Sequence, residues 1–130
     1  MIVWTGESAA DELNRRGYIS HYRKTKSANY RFRGIPPKEI SISLARKDGV
    51  TVYVNRGAVS GTPFPDKGFE GVEVTKTYPK GYEGAKGNRG ISESVARENP
   101  SLDPRSNDVL RLDIRDMDSF RRLLDWYVAK

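Results

Sequence analysis

Alternation is the first regularity in this chain. Ile40, Ile42 and Leu44 alternate with Ser41 and Ser43; after Lys47-Asp48-Gly49, Val50, Val52 and Val54 alternate with Thr51, Tyr53 and Asn55. Successive side chains of a strand point to opposite faces, and Asp-Gly between two alternating runs marks a hairpin turn. The pattern therefore predicts a β-hairpin with one apolar face. Shorter apolar runs predict further strands: Ile2-Val3-Trp4, then Val72 and Val74 continuing to Tyr78, and Leu110, Leu112 and Ile114 interleaved with Arg111 and Asp113. Near the end of the chain the period changes. Phe120, Leu123, Leu124, Tyr127 and Val128 fall at i, i+3, i+4, i+7 and i+8, the apolar stripe of a helix. Asp116 is placed to cap that helix, Asp118 to complement its dipole, and Arg121 to pair with Asp125 on the exposed side.

The remaining elements are less periodic. Thr5 or Ser8 can cap an N-terminal helix, Ser8 and Asp11 having capping-box spacing, with Ala9, Ala10 and Leu13 as its thin buried stripe and Gly17 as its stop. Residues 18–33 read as two strands around a polar loop from Lys24 to Ala28. Tyr18 and Tyr22 would share one face of the first strand, with Ile19, His21 and Arg23 on the other. Tyr30 and Phe32 would share one face of the second, with Arg31 and Arg33 opposite. Residues 57–71 and 79–90 are loop-like, and a short helix over 91–98 ends at Asn99-Pro100. The sum is one α+β domain spanning residues 1–130. It has a largely antiparallel sheet of five to seven strands, one face of which is covered by an N-terminal helix, a short middle helix and the C-terminal amphipathic helix. Short turns between strands disfavour a parallel βαβ arrangement.

Composition narrows the function classes. The 130-residue chain contains no cysteine, which excludes disulfides, thiolate metal sites and cysteine nucleophiles. Its single histidine, His21, excludes paired-histidine metal sites and two-histidine acid–base mechanisms. No apolar run approaches a membrane span and the first residues do not form a signal peptide, so a cytoplasmic protein without membrane contact is expected. No cofactor motif is present: neither the Walker spacing nor GxGxxG after a strand occurs.

Charge supplies the functional clue. The formal net charge of +6 resides wholly in residues 1–65, which hold 11 basic and 5 acidic side chains against 12 and 12 in residues 66–130. Between Arg15 and Arg33 lie seven cations, four aromatics and no carboxylate. Arg15, Arg16, Arg23, Lys24, Lys26, Arg31 and Arg33 are thus the candidate phosphate contacts, since cations bind polyanions by releasing counterions. The interleaved tyrosines and Phe32 suit base stacking, but strand alternation assigns them to the core. The glycine-rich loop from Lys80 to Gly90 adds Lys86 and Arg89 as a possible clamp, against the plainer reading of a flexible surface loop.

Two other functions fit the residues. One is a small nuclease, in which Glu70, Glu73 and Lys76, with Asp66 nearby, would hold Mg²⁺ and steady the attacking water, or in which Tyr and Arg side chains would act without metal. Glu73 and Lys76 stand three apart, which in a regular strand places them on opposite faces and counts against the metal-dependent form. The other is an adaptor or immunity-type protein docking an acidic partner, with Trp126 or Tyr53 as anchor; packing within the fold is the plainer reading of Trp126. A non-catalytic nucleic-acid-binding domain without metal or cofactor, for DNA or RNA, is the leading expectation.

Overall fold

The computed structural model describes residues 4–24, 26–32, 38–44, 49–56, 68–82 and 93–128. The capping residue of helix α1 (Gly6–Arg15) is Thr5: its hydroxyl accepts from the Ser8 amide while the Ser8 hydroxyl accepts from the Thr5 amide. Ser8 is thus the third helical residue of the box, not the cap. Gly17 leaves the helix at φ +92°, as the sequence suggested. The strands are β1 (Tyr22–Lys24), β2 (Ser27–Phe32), β3 (Lys38–Ser43), β4 (Val50–Asn55), β5 (Gly68–Phe69), β6 (Val72–Tyr78) and β7 (Val109–Ile114). They form one seven-stranded sheet in the order β1-β2-β3-β4-β7-β6-β5, with every pairing antiparallel. Helices α2 (Glu93–Glu98) and α3 (Met117–Val128) complete the fold, with a 3-10 turn at Pro100–Leu102.

The main core lies between one sheet face and the pair α1 and α3. Ala28, Tyr30 and Phe32 of β2, Ile40 and Ile42 of β3, Val50, Val52 and Val54 of β4 and Leu110, Leu112 and Ile114 of β7 meet Ala9, Ala10, Leu13, Phe120, Leu123, Leu124 and Tyr127 there. Trp4 closes its end, donating to the Ile114 carbonyl at 2.8 Å and packing on Phe120. Trp126 packs against the same core and lies nearly parallel to Tyr127. Asp116 caps α3 by accepting from the amide and hydroxyl of Ser119 at 2.8 and 2.7 Å; these bonds hold its carboxyl down at about 2. In the β5–β6 turn, Gly71 adopts φ +81°, and a Cβ there would stand 1.8 Å from the Ser119 hydroxyl.

The middle helix departs from expectation. It lies on the opposite sheet face, where Val95, Ala96 and Leu102 pack with Tyr78 and Val109 in a second, smaller cluster. Polar bonds fasten this layer: Asn99 donates to Asn29 at 2.8 Å, and Asn55 donates to the Ser101 carbonyl at 2.7 Å. Ser41, which alternation would leave in solvent, is consequently buried. The strand expected at residues 2–4 lies outside the described residues apart from Trp4, which is not in a strand. Residues 18–21 are not part of a strand either. Tyr18 instead packs edge-on against Phe32 in the main core, while Tyr22 stands opposite Asn29 on the other face. The shared face expected for the two tyrosines is therefore lost. Among the described residues no helix is long and apolar enough to cross a membrane.

Candidate functional site

Helix α1 turns Glu12 inward at its C-terminal end, and three arginines converge on it. Arg15 donates to Oε1 at 2.6 Å, Arg16 to Oε2 at 2.9 Å, and Arg121 of α3 to Oε2 at 3.2 Å. Burial of this side chain opposes its ionisation, but the three guanidinium hydrogen bonds outweigh burial and hold the carboxyl at about 2. Arg16 also faces Asp125, and Arg121 faces Asp118. The expected Arg121–Asp125 pair is thus replaced by these exchanged partners. Arg23 donates to Glu7 of α1, a bond that raises the affinity of its guanidinium for the proton. Arg31 holds Glu39 of β3 at 2.8 Å and reaches the Glu98 carbonyl at 3.1 Å.

The basic segment is therefore not free of carboxylates. Glu7 and Glu12 precede it and Glu39 follows it, so the neutralising groups arrive through the fold. Nor do the cations form one ribbon face: Arg23 stands opposite Ala28 on the α1 side of the sheet, and Arg31 stands opposite Glu39 on the α2 side. Lys26, exposed in the β1–β2 turn, makes no ion pair among the described residues. The Lys24 side chain and all of Arg33, Lys86 and Arg89 lie outside the described residues.

Glu39 is the hub of the second layer. Its Oε1 accepts from the amide and hydroxyl of Ser101 at 2.9 and 2.7 Å, and its Oε2 accepts from Arg31 at 2.9 Å. His21 Nε2 lies 3.1 Å from the Glu98 carbonyl and 3.9 Å from Glu39. A carbonyl has no proton to give, so Nε2 carries it, and the buried Nδ1 has no hydrogen-bond partner among the described residues. Histidine, glutamate and arginine are the side chains of a general acid–base site. Here, though, the carboxylate is 2% exposed and spends its lone pairs on Ser101 of the 3-10 turn and Arg31 of β2. This cluster fastens one layer to another.

A third arrangement was not visible in the sequence. Pairing of β6 with β7 is interrupted between Val74 and Lys76, so that Glu73 opposes Asp113 and Lys76 opposes Arg111. Asp113 and Arg111 are two apart on a regular strand and share a face. Their partners must share it too. The bulge at Thr75 thus brings Glu73 and Lys76 to the same side, correcting the expectation that they diverge. That side is the α2 face of the sheet, in a row with Tyr53, which opposes both Ser41 and Arg111. Arg111 Nε donates to the Thr75 hydroxyl at 3.0 Å, and that hydroxyl donates back to the Arg111 carbonyl at 3.1 Å. Lys76 Nζ stands 5.3 and 5.6 Å from the ring centres of Tyr78 and Tyr82. Burial raises the Tyr78 phenol, nearby Tyr53 adds to the rise, and Arg111 opposes it.

Glu70, by contrast, is exposed in the β5–β6 turn and faces Arg115 at 3.7 Å. Among the described residues no three His, Cys, Asp or Glu side chains are grouped to hold a metal ion. Asp66 lies outside the described residues. No protein-family model, curated protein or solved structure matches this chain.

Proposed function

We propose that this protein binds nucleic acid through its phosphate backbone and performs no chemistry on it. The observation that supports this reading is the surplus of cations in residues 1–65, joined to the way its arginines are held. Arg15, Arg23 and Arg31 each bond a carboxylate yet keep 65%, 41% and 45% of their side-chain surface exposed. A guanidinium has five N–H donors, and a carboxylate on one edge leaves others for phosphate. The carboxylates orient these side chains around the β1 end of the sheet, and Lys26 in the β1–β2 turn adds an exposed charge with no ion pair among the described residues. Such contacts position a backbone without reading its sequence.

The test is an anisotropy titration of labelled duplex and single-stranded oligonucleotides over a range of salt. If about four cations meet duplex phosphates, log K falls against log salt with a slope of about −3.6. Absence of binding at low salt refutes the proposal. So does a full-strength complex after charge reversal of Arg23, Lys26 and Arg31 together.

One observation favours a second reading, a Mg²⁺-dependent nuclease. The bulge brings Glu73 and Lys76 to one face beside Asp113, which is the arrangement a carboxylate-and-lysine site requires. Incubation of labelled DNA and RNA with and without Mg²⁺ separates it from pure binding: intact nucleic acid under all four conditions excludes it.

A further inference from the structure

We propose that the bulged pair β6–β7 carries a phosphate site for single-stranded nucleic acid, made by Lys76 and Arg111. This rests on the nucleic-acid reading above and gives it a place and a ligand class at the opposite end of the sheet from the arginines of residues 15–33.

Three features carry it. First, Lys76 and Arg111 are directly opposed across two hydrogen-bonded strands. Like charges in that position repel and weaken the pairing, so the arrangement costs the protein stability for as long as no anion lies between them. Second, the repulsion is built in by the bulge. Were Thr75 paired in regular register, Lys76 would oppose Leu110 and fall on the face that carries Val72 and Val74 against α3, and bulges characteristically re-aim side chains in this way. Third, both cations are oriented by neutral groups. The Thr75 hydroxyl takes Nε of Arg111, a bond that uses one of the five guanidinium N–H groups, and Tyr78 and Tyr82 hold the Lys76 ammonium over their rings. Neither cation has an ion-pair partner among the described residues. Arg15, Arg16, Arg23 and Arg31 are all oriented by carboxylates, and these two differ from them in that respect.

The surroundings select the ligand. Tyr82 and Tyr53 are partly exposed on either side of the pair, and a phenol ring accepts an unpaired base on its face. The bases of a duplex are stacked on one another and cannot use it. Glu73 and Asp113 occupy the next row of the same face, about 7 Å along the strands. Their negative charge repels phosphate, so the strand is directed along the row Tyr53–Arg111–Lys76 towards Tyr82.

The experiment uses the full chain and a labelled 12-nucleotide oligothymidine and oligouridine, with a duplex of equal length alongside. The variants are Lys76→Gln, Arg111→Gln, Tyr82→Leu and Lys26→Gln, each checked for folding by thermal melting, with Lys76→Arg as the conservative rescue. Lys76→Gln and Arg111→Gln are expected to lower the salt slope for the single strand by about 0.7 each. Tyr82→Leu is expected to weaken single-strand binding roughly fivefold or more and leave duplex binding unchanged, while Lys76→Arg restores wild-type affinity. If wild type binds but single-strand affinity stays within about twofold in the Lys76, Arg111 and Tyr82 variants, the site is wrong and the broader reading stands. If those variants weaken duplex and single strand equally, the assignment to a single strand is wrong. If wild type binds no oligonucleotide, the broader reading fails and this site with it.

Discussion

Replacing Glu12 by glutamine tests how the basic end of the molecule is held together. The Glu12 carboxylate is 2% exposed and receives Arg15, Arg16 and Arg121. Its carboxyl is held at about 2 against an ordinary 4.5. Each factor of ten in acidity corresponds to about 1.4 kcal/mol, so the ionised form contributes about 3 kcal/mol to folding at neutral pH. A carboxyl more acidic in the folded than in the unfolded chain stabilises above its unfolded value. That contribution is present above about pH 5 and is lost as pH falls from there towards 2. Glu12→Gln is therefore expected to lose about 3 kcal/mol at pH 7 in urea melts and to approach wild type near pH 2. The acid-side slope of wild-type stability should flatten in the variant, with the remainder belonging chiefly to Asp116, also held at about 2. The variant gains one net positive charge and takes the carboxylate from Arg15, Arg16 and Arg121, of which Arg16 and Arg121 keep Asp125 and Asp118, so its nucleic-acid affinity should rise even as its stability falls. Equal stability at pH 7, or an unchanged acid-side slope, would refute the reasoning.

Gly71→Ala sets a Cβ against Ser119 at a backbone angle that L-residues seldom adopt, and thermal melting should show a loss of about 1–3 kcal/mol. Tyr127→Phe removes a hydroxyl that donates to the Glu39 carbonyl at 2.7 Å and accepts from the Asn55 amide at 3.2 Å. It leaves both groups at the β3–β4 margin without that partner, for an expected cost of about 1–3 kcal/mol in urea melts.

Much of the architecture was legible because it rests on local periodicity. The alternation of β4, the apolar positions Ile40 and Ile42 of β3, the stripe Phe120, Leu123, Leu124 and Tyr127 of α3 and the strand positions Leu110, Leu112 and Ile114 all recur in the burial of those residues. Tyr30 and Phe32 likewise face the core while Arg31 faces away. What failed depended on distant partners. Nothing near Arg23 or Arg31 in sequence announces Glu7 or Glu39, so a run of cations without carboxylates looked unneutralised. The face of Tyr18 was misjudged because residues 18–21 follow the end of α1 and join no strand. The polar residues Ser41, Asn29 and Asn99 gave no sign of burial, since a second layer bonded through amides and hydroxyls has no apolar period. The pairing of Lys76 with Arg111 was invisible for another reason. A bulge shifts register by one residue, and neither strand alone records which residue is the extra one.

Fastening α2 through Glu39 and the asparagines has a consequence for how the molecule opens. The hydrophobic contacts of this layer form a cluster of their own, separate from the one between the sheet and helices α1 and α3. Opening of residues 93–102 alone would leave the principal cluster intact. Detachment would strip Ser101 from Glu39 and the Glu98 carbonyl from both His21 and Arg31. Release of this layer would therefore uncover an imidazole and loosen an arginine at the β1–β3 part of that sheet face.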